Sequence, residues 1–228
     1  MPSAPQPQRA LVVFARAPEP GRVKTRLARE IGEAAALEAY RELGTAVMGA
    51  VGVLRDCEVV VAYTPAEREG LVRGWLGSVP GYEPQPEGDL GARMLGAIAR
   101  RCAAGAERVL VIGTDCPDLD ARLLETAFAR LGRADAVLGP AADGGYYLVG
   151  MKRPIPELFR EIPWSTPATL SATLARAAGA GVSVALLEER RDVDTAEDWR
   201  AWRAARHDPG TSHQRIGLDG GGASPAGR

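Results

Sequence analysis

Short apolar runs that alternate with helix-like segments are the feature that most limits how this chain of 228 residues can fold. The first run covers residues 9–15 (RALVVFA), and two more cover residues 57–63 (CEVVVAY) and 108–114 (RVLVIGT). Continuous β-branched runs of this kind are typical of strands that are buried on both faces. Such strands occur in parallel sheets that helices cover on both sides, so the pattern predicts an α/β protein.

The remaining patterns extend this alternation along the chain. Two weaker strand patterns that a loop joins resemble a hairpin, which predicts one antiparallel member in a mainly parallel sheet. In open α/β sheets ligands bind at the carboxyl ends of the strands, so the residues that follow each strand are the candidates for a site. Helices are predicted at 24–54 with a break near Gly32, 65–76, 90–103, 120–131, 166–179 and 196–206, and further strands at 134–139, 145–151 and 182–187.

Length and charge limit the domain organisation and the partners. The length suits one domain, for which we expect residues 9–206, with residues 1–8 and the Gly-rich tail 207–228 disordered. The 28 basic and 29 acidic side chains give a net charge of −1, which offers no support for nucleic-acid binding. No apolar run reaches the roughly 18–20 residues of a membrane span, and the first residues lack a secretory pattern. We therefore expect a cytoplasmic protein without a membrane partner.

Histidine and cysteine usage narrows the chemistry. The chain has two histidines, His207 and His213, and both fall in the segment expected to be disordered. The folded part would then lack an imidazole, which argues against Ser-His-Asp and Cys-His hydrolases and against histidine-ligated metals. The three cysteines show no CxxC spacing, so neither a disulfide framework nor a cysteine zinc site is expected. A metal would be held by carboxylates, which points to Mg²⁺ or Mn²⁺.

A basic loop follows the first strand. The segment RAPEPGRVKTRL contains four cations and then enters a predicted helix; they are Arg16, Arg22, Lys24 and Arg26. Cations at the start of a helix are unfavourable unless an anion lies between them, which predicts phosphate binding. A solvated basic turn is the alternative, since neither a Walker A loop nor GxGxxG is present.

An acidic motif, GTDCPDL, follows the strand at residues 108–114. Asp115 and Asp118 are both candidate ligands, while Asp120 is interpreted as the cap of the next helix. Four apolar residues upstream place Asp115 at the rim of the sheet, which favours metal binding over the alternatives of a helix cap or a ribose contact.

Two further motifs follow later strands. Asp143, Gly144 and Gly145 permit a positive φ and a close approach to a ligand, but Asp-Gly is also typical of a plain hairpin turn. In the segment DVDTAED, either Asp192 or Asp194 is a candidate second metal ligand. Asp194 or Thr195 is equally compatible with a helix cap, and position alone does not separate these interpretations.

The motifs together resemble the GT-A superfamily, which contains nucleotide-sugar glycosyltransferases and nucleotidyltransferases. The resemblance is strongest to a small family encoded beside radical-SAM and selenodomain proteins, the arsenosugar-biosynthesis glycosyltransferase type. The chain is also similar to 2-phospholactate and molybdenum-cofactor guanylyltransferases, through Lys-x-Arg-Leu, Asp-x-Pro-Asp-Leu and Asp-x-Asp-Thr. The segments that carry the resemblance are FARAPEPGRVKTRLA, GDLGARM, GTDCPDL, GPAADGGYYLVG, PWST and DVDTAEDW.

This resemblance implies a fold, a reaction and roles for individual residues. The fold would be a single-domain, Rossmann-like GT-A domain with a mixed, mainly parallel sheet flanked by helices. Asp115 and Lys24 would be catalytic, Asp115 and Asp194 would hold the metal, and the acceptor would lie against residues 143–145. The phosphates of the nucleotide would contact the basic loop, through Arg16, Arg22, Lys24 and Arg26.

The expected activity is glycosyl transfer from a nucleotide sugar to a small-molecule acceptor. One alternative is nucleotidylyl transfer from an NTP to a phosphorylated small molecule, which the number of cations in the basic loop favours. A second alternative is a nucleotide-binding protein without catalytic activity. The Asp-x-Asp motif usual in glycosyltransferases is absent, because Cys116 and Pro117 separate Asp115 from Asp118.

Overall fold

Seven strands form one sheet in the computed structural model, which describes residues 8–207. The strands are β1 (Arg9–Arg16), β2 (Glu58–Thr64), β3 (Gly81–Pro84), β4 (Arg108–Ile112), β5 (Ala136–Pro140), β6 (Tyr146–Met151) and β7 (Val184–Leu186). The helices are α1 (Thr25–Ile31), α2 (Glu33–Val51), α3 (Glu69–Leu76), α4 (Leu90–Ala103), α5 (Ala121–Leu131), α6 (Thr169–Gly179) and α7 (Ala196–His207). Short 3₁₀ turns lie at Ala66–Arg68 and Pro156–Phe159.

The strand order is β3-β2-β1-β4-β6-β5-β7. Strands β1 to β4 run parallel, β6 is antiparallel to both of its neighbours β4 and β5, and β7 is parallel to β5. The prediction of an α/β fold with a mainly parallel sheet and one antiparallel member is therefore confirmed. The strands that follow β1 lie on one side of it as far as β3, and β4 lies on its other side. The strand order therefore reverses between β1 and β4, and their carboxyl ends form the crevice in which such sheets bind ligands.

Alternate residues of β1 pack into two hydrophobic clusters, one on each face of the sheet. Leu11 and Val13 pack on one face with apolar residues of α2, α3 and α5, including the fully buried Phe128. Ala10 and Val12 pack on the other face with residues of α4 and α6. This burial on both faces is why the strand sequences lack a polar alternation. The sheet is a rigid base from which the residues at its carboxyl edge project.

The boundaries of several elements follow from local sequence. Gly32, with φ of 87°, separates α1 from α2 as predicted. Asp120 caps α5, where its carboxylate accepts a hydrogen bond from the Leu123 N–H. The short edge strand β3 was not predicted, because the Pro/Gly-rich segment that contains it lacks an apolar alternation. It pairs through its backbone with β2, which pattern analysis cannot detect.

The two ends of the chain lie almost wholly outside the described residues. The expectation that residues 1–8 and 207–228 are disordered therefore stays a prediction, as does the domain range 9–206 that depends on it. Within residues 8–207, none of the helices has the length and apolar character needed to traverse a bilayer. The three cysteines are free thiols, which agrees with their spacing.

The packing of the sheet predicts opposite effects for two glycine-to-alanine substitutions. A Cβ at Gly150 would lie 2.4 Å from Leu110 and 2.8 Å from Val137, whereas one at Gly49, on the exposed side of α2, would meet nothing within 4 Å. We expect Gly150→Ala to lower the free energy of unfolding by about 1–3 kcal/mol. Gly49→Ala should raise it by up to about 1 kcal/mol, because alanine favours the helix. Urea unfolding of the two variants measures both effects, and equal changes would contradict this packing.

Candidate functional site

Tyr40 of α2 joins the ends of β1 and β4. Its hydroxyl accepts a hydrogen bond from the Arg16 N–H at 3.0 Å and donates one to the Arg16 carbonyl at 3.1 Å. The Thr114 hydroxyl donates a third bond to it at 3.3 Å. Burial, with the nearby charge of Asp115, raises the pKa of Tyr40 to about 12, so the phenol stays neutral. Sequence analysis did not identify this residue, because a tyrosine on the apolar face of a helix is usually part of the core.

The ammonium group of Lys24 lies between two carboxylates. Its Nζ is 2.7 Å from Oδ1 of Asp115 and 2.9 Å from Oδ1 of Asp194, and its side chain is only 4% exposed. Burial lowers the pKa of Lys24, but the charges of the two carboxylates outweigh it, and the pKa lies above its usual value. Lys24 is therefore a fully charged, buried cation.

The backbone of Lys24 has an unusual conformation. Lys24 precedes α1 with φ and ψ both at 46°, which is the left-handed region. That conformation is unfavourable for a residue with a Cβ, by about 1–2 kcal/mol. Backbone strain of this kind persists where the surrounding structure fixes it, often at functional sites. At Lys24 this conformation coincides with the two ion pairs of the ammonium and with a hydrogen bond from the Ala28 N–H to the Lys24 carbonyl.

A backbone hydrogen bond brings Asp194 to Asp115. The Val193 N–H donates to the Asp115 carbonyl at 3.0 Å. The Val193 side chain is buried with Leu43 and Trp202, which anchors this segment against α2 and α7. Asp194 thereby meets Lys24, and Asp192 lines the cavities beside Asp115.

Thr195, rather than Asp194, caps α7. The Thr195 hydroxyl accepts from the Asp198 N–H at 3.2 Å, and the Asp198 carboxylate accepts from the Thr195 N–H at 3.0 Å. This reciprocal arrangement is a capping box with aspartate in the third helical position. The sequence left open whether Asp194 caps the helix or binds a cation. The structure shows that it is not the cap and that its carboxylate binds the ammonium group of Lys24.

Asp192 is a half-buried carboxylate that forms no ion pair within the described residues. Its Oδ1 has no hydrogen-bond partner among the described residues. Burial, reinforced by the charge of Asp115, raises the pKa of Asp192 to about 7. Asp192 therefore takes up a proton near neutral pH more readily than an ordinary aspartate does, unless a cation binds beside it.

The other three cations of the basic loop lie around the same place. Arg16, Arg22 and Arg26 are exposed, and with Lys24 they line a cavity of about 480 Å³ that also includes Asp115 and Asp194. The Arg26 guanidinium is 3.8 Å from Asp194 and its side chain is 70% exposed. The structure thus brings together the predicted phosphate-binding residues and the two predicted metal ligands. Because helix α1 has only seven residues, we assign the affinity for an anion to the guanidinium and ammonium groups and not to the helix N-terminus.

The loop at residues 143–145 forms one wall of a second cavity, of about 270 Å³, together with Trp164. The Asp143 carboxylate accepts from the Gly145 N–H at 2.8 Å, which closes the turn. Gly144 has φ of 87°, and a Cβ there would lie 2.2 Å from the Pro167 carbonyl oxygen. The packing of the loop therefore requires a glycine at position 144. Asp143 and Gly145 line the cavity.

A third cavity, of about 300 Å³, extends from Asp115 over the ends of the central strands. Its walls include Phe14 and Met94, and the Gln85 side chain, which donates to the Ala62 carbonyl at 3.1 Å. Sequence analysis missed Gln85, which directly follows the unpredicted strand β3. All three cavities include Asp115, which therefore lies at their junction. Asp118 is exposed and lines none of them.

The carboxylates are suited to a metal only in cooperation with a ligand. Within residues 8–207, no three Asp, Glu, His or Cys side chains are grouped closely enough to hold a metal ion by themselves. Mg²⁺ needs only one or two protein carboxylates when substrate phosphates and water complete its coordination. The unpartnered oxygen of Asp192 and the hard oxygen donors of Asp115 and Asp194 fit such a site.

Residues 47–166, more than half of the chain, match the family DUF2064, described as uncharacterized protein conserved in bacteria. The chain belongs to this family. No curated protein matches it in sequence.

Solved structures relate this DUF2064 chain to nucleotide-dependent transferases. A protein from Desulfovibrio desulfuricans G20, provisionally assigned as a nucleotide-diphospho-sugar transferase, is 30% identical over 89% of each chain, with a TM-score of 0.83. The CMP:2-keto-3-deoxy-manno-octonic acid synthetase complexed with CTP is 15% identical over 87% of this chain and 98% of that chain, with a TM-score of 0.56. Rv0371C from Mycobacterium tuberculosis H37Rv, solved with manganese, is 15% identical over 85% and 97%, with a TM-score of 0.52. The fold is that of the nucleotide-sugar transferases, as the resemblance implied.

The hydrogen bonds of Tyr40 predict a structural cost for Tyr40→Phe. The substitution leaves the Arg16 N–H without its partner at the end of β1, so we expect the free energy of unfolding to fall by about 1–3 kcal/mol. Tyr82→Phe is the control, because the Tyr82 hydroxyl donates to the Gly77 carbonyl at an exposed position, and it should cost less than about 1 kcal/mol. Urea unfolding compares the two variants; equal costs would mean that Tyr40 does not hold the strand ends.

Proposed function

We propose that this chain is a divalent-metal-dependent enzyme that transfers a sugar from a nucleotide sugar to a small-molecule acceptor. The observation that carries the proposal is the convergence of four cations and three carboxylates on one edge of the sheet. The cations are Arg16, Arg22, Lys24 and Arg26, and the carboxylates are Asp115, Asp192 and Asp194.

The basic loop would bind the phosphates of the donor. A leaving nucleoside diphosphate gains negative charge as its bond to the sugar breaks, and fixed cations stabilise that charge. The three exposed arginines offer planar, bidentate donors that match phosphate oxygens. Lys24 offers a compact charge at the point where the phosphates meet the carboxylates.

Asp115 would hold a Mg²⁺ or Mn²⁺ ion, with Asp194 or Asp192 as its second carboxylate. The metal, when bound, would act as a Lewis acid that neutralises charge on the leaving phosphate. Asp115 follows the end of β4 by three residues, and the hydrogen bond from the Val193 N–H holds its backbone beside Asp194. The complex of Rv0371C with manganese provides an example of a metal ion on this fold.

The cavity beside residues 143–145 would bind the acceptor. Its described lining contains three carboxylates, those of Asp115, Asp143 and Asp192, and no Lys or Arg. A phosphorylated acceptor would therefore enter a field of like charge, whereas a hydroxyl group would find carboxylates able to accept its proton. Trp164 adds an aromatic wall of the kind that packs against sugar rings. This electrostatic asymmetry supports glycosyl transfer.

Nucleotidylyl transfer from an NTP is the second candidate. The four cations around one cavity favour it, because a triphosphate requires more neutralisation than a diphosphate. The CMP:2-keto-3-deoxy-manno-octonic acid synthetase that was solved with CTP also has this fold.

Product analysis distinguishes the two reactions. The purified chain is incubated with Mg²⁺ and, in separate reactions, with a panel of nucleotide sugars or a panel of NTPs. In the first set the sugar passes to an added hydroxyl acceptor or, where none fits, to water. Release of a nucleoside diphosphate from a nucleotide sugar is the expected result. Pyrophosphate released from an NTP in the presence of a phosphorylated acceptor would instead establish the second candidate. Nucleotide binding without release of either product, from sugar donors with water or from NTPs with phosphorylated acceptors, would favour the alternative of a binding protein.

Asp115→Asn tests the metal ligand. The substitution preserves the shape of the side chain and removes its charge, so we expect a folded protein that has lost the Mg²⁺-dependent part of its nucleotide affinity. The rate of transfer should fall at least about 100-fold. Loss of a residue that only hydrogen-bonds to a metal ligand already costs up to about that factor, and loss of the ligand itself should cost no less. Asp118→Asn, at an exposed position outside the cavities, is the matched control and should leave both properties unchanged.

Nucleotide titrations with and without Mg²⁺ give the measurement. Unchanged metal dependence in Asp115→Asn would exclude Asp115 as a ligand. An equal loss of affinity under both conditions would instead indicate that Asp115 contacts the ribose.

A further inference from the structure

Lysine is rare in this chain, and its use at position 24 is selective. Of the 28 basic residues only two are lysines, Lys24 and Lys152. Lys152 is exposed, whereas the Lys24 side chain is 4% exposed and lies between two carboxylates. A lysine ammonium is a compact point charge, while a guanidinium is a broad planar fork. The compact cation thus lies at the site proposed for a compact divalent cation.

The contacts of Lys24 use the oxygens that a metal would need. Its Nζ lies within 2.9 Å of an Oδ1 atom of both Asp115 and Asp194, which are the predicted metal ligands. A divalent cation and the ammonium group cannot occupy the position between those oxygens at the same time. Asp192 lies beside them, and its Oδ1 has no hydrogen-bond partner among the described residues.

Lys24 also lines the cavity of the basic loop, where the donor phosphates would lie. Its side chain therefore has two possible counter-ions, the carboxylates on one side and a phosphate on the other. Rotation of the side chain would exchange one for the other without a change in the fold of the loop.

We infer that Lys24 stands in for the metal when the site is empty, and that donor phosphate draws its ammonium group away so that the divalent cation can bind Asp115 and Asp194. This inference rests on the proposed function, since it takes the donor to be a nucleotide with phosphates. It makes Lys24 a positioning residue that couples the two ligands: the metal alone binds weakly, because it competes with an internal cation, and metal and nucleotide bind tightly together.

The competition is tested without nucleotide, by titrating Mn²⁺ and following the free ion by electron paramagnetic resonance. Lys24→Met retains a side chain of similar length without the charge, and it should bind Mn²⁺ at least about tenfold more tightly than wild type, within the usual range of coupling between sites. Lys152→Met is the matched control and should bind as wild type does. Adding Asp115→Asn to Lys24→Met should abolish the gain. Equal Mn²⁺ affinity in wild type and a folded Lys24→Met would overturn the inference.

The displacement is tested in the wild-type chain, which avoids dependence on the folding of a variant. Lysine labelled with ¹³C at Cε gives two side-chain signals, and Lys152→Arg assigns them. Adding UDP, GDP, CDP or ADP without metal should shift the Lys24 signal and leave that of Lys152 in place. A nucleotide that binds by calorimetry but leaves the Lys24 signal unmoved would overturn the inference. If none of the four nucleotides binds, the proposed donor is wrong, whereas the Mn²⁺ comparison still decides whether Lys24 competes with metal.

Discussion

The parallel pairing of β1 with β4 is the constraint on which the site depends. It places Arg16 and Asp115, which are far apart in the sequence, at neighbouring strand ends. Tyr40 fixes the junction by bonding to the backbone of Arg16 and the hydroxyl of Thr114. Without that pairing the basic loop and the acidic motif would have no common cavity. The apolar burial of both sheet faces supplies the stability that holds these polar groups in place.

Basic and acidic side chains are unevenly distributed around Asp115, and this distribution determines what each cavity can bind. The cavity at the basic loop combines four cations with two carboxylates, whereas the described lining of the cavity at residues 143–145 contains carboxylates and no Lys or Arg. Anions are favoured on one side and disfavoured on the other. A reaction that joins a phosphate-bearing donor to an uncharged acceptor matches this asymmetry, which is the physical basis of the proposed glycosyl transfer.

Lys24 connects the strained backbone of the loop to the electrostatics of the site. A buried ammonium group is stable only when its charge is compensated, and Asp115 and Asp194 provide that compensation. Because the chain otherwise uses arginine for almost all of its positive charge, the choice of lysine here has a chemical reason. The same property that makes the ammonium a good partner for two carboxylates also makes it a competitor of a divalent cation.

Local sequence determined much of the architecture. Continuous apolar runs identified β1, β2 and β4, and weaker strand patterns identified β5, β6 and β7. Gly32 marked the break between α1 and α2, and Asp120 was identified as a helix cap. These features depend on neighbouring residues, so pattern and propensity suffice to find them. The location of the basic and acidic motifs at strand ends also followed, because parallel strands end at one edge of the sheet.

Only the tertiary structure decided which of these residues meet. The hydrogen bond between Val193 and Asp115 brings two distant segments together, and it places Asp194 on Lys24. Thr195 takes the helix cap, and packing against Pro167 explains Gly144. Tyr40 and Gln85 had no recognisable signal, since their roles arise from contacts with strand ends remote in the chain. Sequence thus determined the elements and the candidate residues, and long-range packing decided their partners, because contacts between distant segments leave no local pattern.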